Sequence, residues 1–272
     1  MYCSVMKYLF FDVDGTLLPF GEGATESTRL ALKKAHEKGH KLFLSTGRSP
    51  VELDPRLNEF PFDGGVFAGG SISIVNGERI YERFFSTSQV EYILKLAHEK
   101  SWHLLMQTDT GTYLTKEAQD VLYDMFMRCN GRLLVIDNIF TVEKLEIRNN
   151  VTKMIFITPS HDVKEVREEL RGSFDVIDNT MGVPLDDCAE IVLPGISKST
   201  GMFAIMDYSK APISDSMAFG DGANDIEIVR DSGIGVAMGN GSKDLKEVAD
   251  YITGDVDKTG IYDALMHFGV ID

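Results

Sequence analysis

Two aspartates, one residue apart, close an apolar run near the start of the chain: Phe10-Phe11-Asp12-Val13-Asp14-Gly15-Thr16-Leu17. Alternation along a strand turns both carboxylates to one side, and ligands of open parallel sheets bind at such carboxyl ends. Like charges this close are unfavourable unless a cation or a proton separates their roles. The pair therefore predicts either a divalent metal or two carboxylates with split pKa values. A second acidic segment, Gly220-Asp221-Gly222-Ala223-Asn224-Asp225, also follows a strand and opens a helix, so its carboxylates are expected at the same sheet edge as Asp12. Two or three carboxylates and a backbone carbonyl suit magnesium, which takes oxygen ligands octahedrally and keeps several waters. Read instead as a dinucleotide fingerprint, Gly-x-Gly-x-x-Gly, the segment has Asp225 at its sixth position and does not follow the first strand of its sheet. Leu44-Ser45-Thr46-Gly47-Arg48 ends a further strand with a hydroxyl, a flexible glycine and a guanidinium, all suited to phosphate oxygens. Lys198 follows the turn Leu193-Pro194-Gly195-Ile196-Ser197 and on its own is an ordinary solvated lysine.

Short apolar runs alternate with helical patterns on both sides of these segments. Lys7 to Val13, Glu26 to Lys38 and Lys41 to Ser45 give strand, helix, strand, with Gly39 where a helix C-cap belongs. That is the rhythm of a parallel α/β sheet. A third strand at Val66 to Ala68 leads into Ser71 to Val75, Asn76-Gly77 and Arg79 to Tyr81, where Asn-Gly between alternating runs predicts a type I′ hairpin. From about residue 84 to 184 the order becomes helix, strand, strand, helix, strand, helix, strand, helix, strand, with helices expected at Gln89 to Lys100, Lys116 to Cys129 and Asp162 to Arg171. After Ile196 the α/β rhythm resumes, with a helix near Ser199 to Tyr208 and strands at Ser216 to Phe219, Gly233 to Ala237 and Tyr251 to Thr253. The expected architecture is a doubly wound parallel-sheet α/β core, residues 1–82 and 188–272, interrupted by an α+β insert, residues 83–187.

At 272 residues the chain is long enough for one or two domains. Its 27 basic and 42 acidic side chains leave a net charge of −15 with no basic run, which speaks against nucleic acid and anionic membranes as partners. The same charge makes an anionic substrate a local problem, to be met by a metal ion or a few placed lysines and arginines. Cys3, Cys129 and Cys188 are too few and too far apart for a disulfide framework or a zinc cluster. The run Tyr8 to Phe11 is too short for a signal-peptide core, and no stretch reaches the length of a membrane span. A cytoplasmic setting is expected.

Taken together and in this order, the four motif segments resemble the haloacid dehalogenase (HAD) superfamily, and within it the Cof-type phosphatases with a large C2-type cap inserted after the third core strand. The resemblance covers residues 6–82 and 190–268; the middle carries no comparable signature. Two positions depart from the family pattern: Gly69-Gly70 stands where Asn-Gly is common, and Val13 where Leu is more usual. The resemblance implies a Mg2+-dependent phosphatase of small phosphorylated metabolites, sugar phosphates first, then flavin or pyridoxal phosphates. It implies Asp12 as the nucleophile that accepts the phosphoryl group and Asp14 as the acid that protonates the leaving oxygen and then activates water. Thr46, Gly47, Lys198 and Asn224 would hold phosphoryl oxygens. Mg2+ would be bound by Asp12, the Asp14 backbone carbonyl and Asp221, with Asn224, Asp225 and Arg48 in support. A phosphotransferase or mutase using the same aspartyl-phosphate is the nearest alternative, and a catalytically idle regulatory protein on this fold the more distant one.

Other matches carry less. His36-Glu37-Lys38-Gly39-His40 fits the zinc-protease pattern His-Glu-x-x-His, which needs both histidines on one helical face. Gly39 ends that helix, so His36 and His40 are expected at a surface or helix end. Asn150-Val151-Thr152 and Asn240-Gly241-Ser242 match glycosylation sequons but lack a secretory signal. Tyr92, Trp102, Tyr123 and Phe126, at helical or strand spacing, are expected in the core of the insert rather than in a substrate pocket.

Overall fold

The computed structural model describes residues 6–128, 138–158, 163–178 and 188–272. The chain begins with β1 (Tyr8–Phe11), α1 (Glu26–Glu37), β2 (Lys41–Ser45), β3 (Gly64–Phe67), β4 (Ile72–Val75) and β5 (Glu78–Glu82). There follow α2 (Thr87–Lys100), β6 (His103–Thr108), β7 (Gly111–Thr115), α3 (Lys116–Arg128), β8 (Ile139–Val142), β9 (Val151–Ile157), α4 (Val163–Leu170), β10 (Asp175–Asp178) and β11 (Cys188–Val192). The last stretch holds α5 (Lys198–Tyr208), β12 (Ser216–Gly220), α6 (Ile226–Asp231), β13 (Gly235–Ala237), α7 (Lys243–Val248), β14 (Tyr251–Ile252) and α8 (Gly260–His267). These elements form two compact units: residues 1–47, 55–82 and 197–272, and residues 48–54 and 83–196.

In the first unit eight strands lie in the order β14-β13-β12-β1-β2-β3-β4-β5. Strand β1 is buried along its whole length, as a central parallel strand covered on both faces must be. Its alternate residues feed two cores. Tyr8 and Phe10 join Phe43, Met202, Ile205 and Ile228 on one face, and Phe11 stacks on Phe219 on the other. Helix α1 is capped by the Thr25 hydroxyl, which accepts from the Thr28 N–H, and buries Ala31, Leu32 and Ala35. The chain runs outward from β1 to β2 and β3, then returns to the other side of β1 through β12, so the topological switch lies between β1 and β12. The parallel order ends at β3. Strands β3, β4 and β5 pair antiparallel, and the β4–β5 turn has both Asn76 (φ 49°) and Gly77 (φ 81°) in the left-handed region, as a type I′ hairpin requires.

The second unit is a six-stranded sheet in the order β10-β11-β9-β6-β7-β8, antiparallel except for β7 and β8. Helices α2 and α4 cover one face through Val90, Ile93, Leu96, Val166 and Leu170, packed with Leu104, Met106, Met154 and Phe156. On the opposite face Ala118 and Leu122 of α3 pack on Leu105, Leu114, Ile155 and Ile157. Here the element order departs from expectation. Two strands follow α3, and β11 follows β10, with residues 179–187 between them outside the described set.

Three sequence expectations are corrected by this pairing. Strand β11 belongs to the second sheet, bonded antiparallel to β9 and β10, so the first unit resumes at Ser197 rather than at residue 188. A five-residue buried strand reads the same in either sheet, so the sequence alone does not fix this boundary; the expected end of the insert at residue 187 lies outside the described residues. Second, residues 48–54 leave the first unit, held by Glu52. Its buried carboxylate accepts from Gln107 Nε2 at 2.7 Å and the Ser49 N–H at 2.9 Å on one oxygen, and from Thr112 Oγ1 at 2.5 Å on the other. Third, His40 is 2% exposed and not a surface residue. Its Nδ1 accepts from the Lys7 N–H and its Nε2 lies 3.0 Å from the Val270 carbonyl. Burial holds the imidazole below its ordinary pKa, with Lys38 and Lys7 adding to the effect against the Val270 bond. Zinc ligation through His36 and His40 is excluded on the expected ground, since α1 ends at Glu37 and Gly39 (φ 86°) turns the chain away.

Among the aromatics of the insert, Trp102 is buried against Phe156, whereas Tyr92 and Tyr123 are exposed rather than in the core. The Phe126 side chain and Cys3 and Cys129 lie outside what is described; Cys188 is buried. No helix among the described residues is long and apolar enough to cross a membrane.

Candidate active site

The register of β1 and β12 builds the site. Phe11 pairs with Phe219, and the Asp12 N–H donates to the Phe219 carbonyl, so the first residue beyond β1 lies beside the end of β12. Carboxylate oxygens of Asp12, Asp221 and Asp225 all fall within 4.8 Å of one another. Lys198, at the start of α5 and 1% exposed, is aimed between two of them: its Nζ is 2.6 Å from Asp12 Oδ1 and 2.6 Å from Asp225 Oδ1. The solvated lysine that the sequence taken alone suggested is in fact fully buried, because two carboxylates offset the cost of removing its charge from water.

Each acidic group has a distinct surrounding. Asp225 spends its second oxygen on its own loop, accepting from the N–H groups of Asp221 and Gly222 at 3.1 and 3.0 Å. It therefore shapes the turn and holds Lys198. Asp221 accepts from Thr16 Oγ1 at 2.9 Å, and Gly15 (φ 88°) lies so close that a Cβ there would meet Asp221 Oδ2 at 2.3 Å. Only glycine permits this approach. Asp14 is half-buried beyond Asp12, and its backbone bridges to Leu18. Asn224 is half-buried in the short helical turn of residues 223–225.

Burial is the main force on these groups. It raises Asp12 well above the usual carboxylate range; Lys198 opposes this, and Asp225 and Asp221 add to it. Asp221 is pushed up to about 7 by burial and then by Asp225, against the Thr16 bond. Burial would pull Lys198 down, but the charges of Asp12 and Asp225 and their hydrogen bonds reverse this and hold it above its ordinary value. Three carboxylates facing one ammonium leave an excess of negative charge that a cation would neutralise. The donors fit a hard one: oxygens only, on Asp12 and Asp221, since both oxygens of Asp225 are already engaged.

The phosphate-loop candidates divide. Thr46 is buried at the end of β2, its N–H donating to Val66 and its carbonyl accepting from Gly69, and Gly47 follows it within the first unit. Arg48 does not stay with them. It belongs to the second unit, where its Nη1 donates to the Glu52 carbonyl at 3.2 Å. The Gly69-Gly70 departure also has a structural reason. At Gly70 (φ 111°) a Cβ would lie 1.9 Å from the Ser197 carbonyl, just before Lys198, whereas at Gly69 (φ 66°) nothing lies within 4 Å. The second position must be glycine and the first is open to asparagine. Thr16 and Gly70 were missed as site residues in the sequence. Thr16, directly after Asp12-x-Asp14-Gly15, was the more legible of the two.

Residues 9–265 match the family model for haloacid dehalogenase-like hydrolases. Among curated proteins, YkrA of Bacillus subtilis is 29% identical over 97% of this chain and 98% of its own length. An HMP-PP phosphatase of Cronobacter sakazakii is 28% identical over 86% of this chain and 85% of its own. Among solved structures, a phosphatase of this superfamily from Bacteroides thetaiotaomicron superimposes with a TM-score of 0.81 at 29% identity, covering 98% of this chain and 96% of that one. A sugar phosphatase of HAD subclass IIB gives 0.80 at 29%, covering 98% and 100%.

Proposed function

This chain belongs to the haloacid dehalogenase-like hydrolases, and from that premise we propose that it is a Mg2+-dependent phosphatase of small phosphorylated metabolites that works through an aspartyl-phosphate on Asp12. The observation that carries this reading is the buried Lys198 bridging Asp12 and Asp225 beside Asp221, at the switch point of the sheet. One oxygen of Asp12 is held by Lys198, and the other is its nucleophile. It attacks phosphorus, a new O–P bond forms, and the bond to the ester oxygen breaks. Asp14 gives that oxygen a proton, so the product alcohol leaves neutral. Asp14 then takes a proton from water as the water attacks the same phosphorus, releasing inorganic phosphate and restoring Asp12. Dividing the displacement in this way replaces one hard step with two easier ones.

Thr46 and Gly47 are read as donors to the phosphoryl oxygens, and Lys198 as their countercharge in a site where water is largely excluded. Asn224 and Asp225 support Lys198 and the acidic loop. Asp12, the Asp14 carbonyl and Asp221 would hold Mg2+, which when bound supplies charge neutralisation for the transferring group. The second unit, residues 48–54 and 83–196, is read as the part that selects the leaving group, with sugar phosphates, then flavin or pyridoxal phosphates, as candidates. The relatives acting on HMP-PP and on sugar phosphates support that class.

A screen of phosphorylated metabolites with Mg2+, scored by released phosphate and by transfer to added sugar phosphates, tests the reading. Hydrolysis lost on Asp12→Asn in a folded protein supports it, because the amide is nearly isosteric but lacks the charge to attack phosphorus or bind a cation. Activity retained within tenfold removes Asp12 as nucleophile. Transfer exceeding hydrolysis makes the chain a phosphotransferase instead.

A further inference from the structure

The turn after β13 carries one of the two sequon matches, Asn240-Gly241-Ser242, and it lies against both acidic loops of the first unit. Its backbone is tied to the β12 loop: the Met238 N–H donates to the Gly220 carbonyl and the Ser242 N–H to the Asp221 carbonyl, each at 2.9 Å. Its side chain reaches the β1 loop: Asn240 Nδ2 donates to the Gly15 carbonyl at 2.8 Å, while Asn240 Oδ1 accepts from the Val256 N–H at 2.8 Å. Asn240 is exposed, yet both ends of its amide are engaged with backbone groups 225 and 16 residues away.

We propose that Asn240 is a positioning residue for the cation site, fixing the Asp14–Gly15 peptide relative to Asp221. The inference rests on the site reading given above. Gly15 is the most permissive residue in the β1 loop and sits at φ 88°. Three contacts remove its freedom. Its N–H donates to the Leu18 carbonyl at 2.8 Å, its Cα lies against the Asp221 carboxylate, and its carbonyl is met by the Asn240 amide. With the donor and the acceptor of one residue both held, its φ and ψ are set, and so is the preceding peptide, which carries the Asp14 carbonyl. The same turn holds the Asp221 backbone, so a single element registers the two halves of the proposed ligand set. The position demands a donor and an acceptor on one short side chain. Alanine offers neither, and aspartate would set an oxygen against the Gly15 carbonyl.

The test compares the full-length wild type, Asn240→Ala and Asp221→Asn. Mg2+ binding to the resting protein is measured by calorimetry, Mg2+ activation by hydrolysis of p-nitrophenyl phosphate, and the metal-free melting temperature is recorded for each. Loss of one positioning hydrogen bond should weaken Mg2+ binding by roughly threefold to tenfold in Asn240→Ala. The half-activating Mg2+ concentration should move by the same factor, while kcat at saturating Mg2+ stays within about twofold. A turn that served stability alone would lower the melting temperature and leave the Mg2+ constant where it was; that result overturns the inference. If the wild type binds Mg2+, Asp221→Asn abolishes binding and Asn240→Ala does not alter it, the inference fails while the site reading stands. If the wild type binds no Mg2+ and Asp221→Asn changes nothing, the site reading fails and the inference with it.

Discussion

Mg2+ binding to this site should expel a proton, and the amount follows from Asp221. Burial and the neighbouring Asp225 raise its carboxyl to about 7, whereas a cation ligand must be ionised. At that value the group is about nine-tenths protonated at pH 6, about half at pH 7 and about one-tenth at pH 8, so Asp221 should contribute close to 0.9, 0.5 and 0.1 proton per Mg2+ bound. Affinity should fall by about tenfold for each pH unit below 7 and level off above 8. Asp12, also raised by its burial, adds its own release to that of Asp221. Calorimetric titrations in buffers of different ionisation enthalpy measure the protons directly. Asp221→Asn should remove the release assigned to that group along with most of the binding. The linkage also reaches stability. Asp221 has a folded pKa above its ordinary 3.8, so its contribution is fully present below about 4 and is lost as pH rises toward and through about 7. Saturating Mg2+ should cancel that loss. A Mg2+ constant that is flat from pH 6 to 8, or binding at pH 6 with no proton released, would refute the reasoning.

Lys198→Met should destabilise the fold by about 3–5 kcal/mol at pH 8, because two buried carboxylates lose their countercharge. Chemical denaturation of the two proteins at pH 8 checks it. Glu52→Ala leaves the Gln107 amide, the Thr112 hydroxyl and the Ser49 N–H without their buried acceptor, at a cost of roughly 2–4 kcal/mol. Trypsin should then cut after Arg48 faster than in the wild type, and unchanged cleavage would mean the segment is held by something else. His40 is neutral in the fold and its pKa is depressed, so it contributes stability above its ordinary 6.5 that is lost as pH falls from there through the folded value. His40→Gln should flatten that part of the acid unfolding curve.

The placement of the candidate site residues was legible in the sequence wherever it depended on local order. Asp12, Asp14, Thr46 and Asp221 each follow a short apolar run, and strand alternation together with the parallel rhythm puts them at one edge of one sheet before any contact is known. The type I′ hairpin at Asn76-Gly77 was legible for the same reason, because two adjacent residues had to tolerate positive φ. What the tertiary structure alone decided are pairings between distant segments. Strand β11 is buried and, Glu190 apart, apolar, and only its ladder with β9 and β10 assigns it to the second unit. Arg48 directly follows Thr46-Gly47, yet a carboxylate four residues on, Glu52, is bound by groups from β6 and β7 and takes the segment with it. Lys198, a surface lysine by its own segment and a site residue only by the family resemblance, is buried because Asp12 and Asp225, 186 and 27 residues away, close on it. Periodicity reports which face of an element is buried; it carries no information on which remote partner buries that face, and the charge state and reach of these side chains depend on that partner.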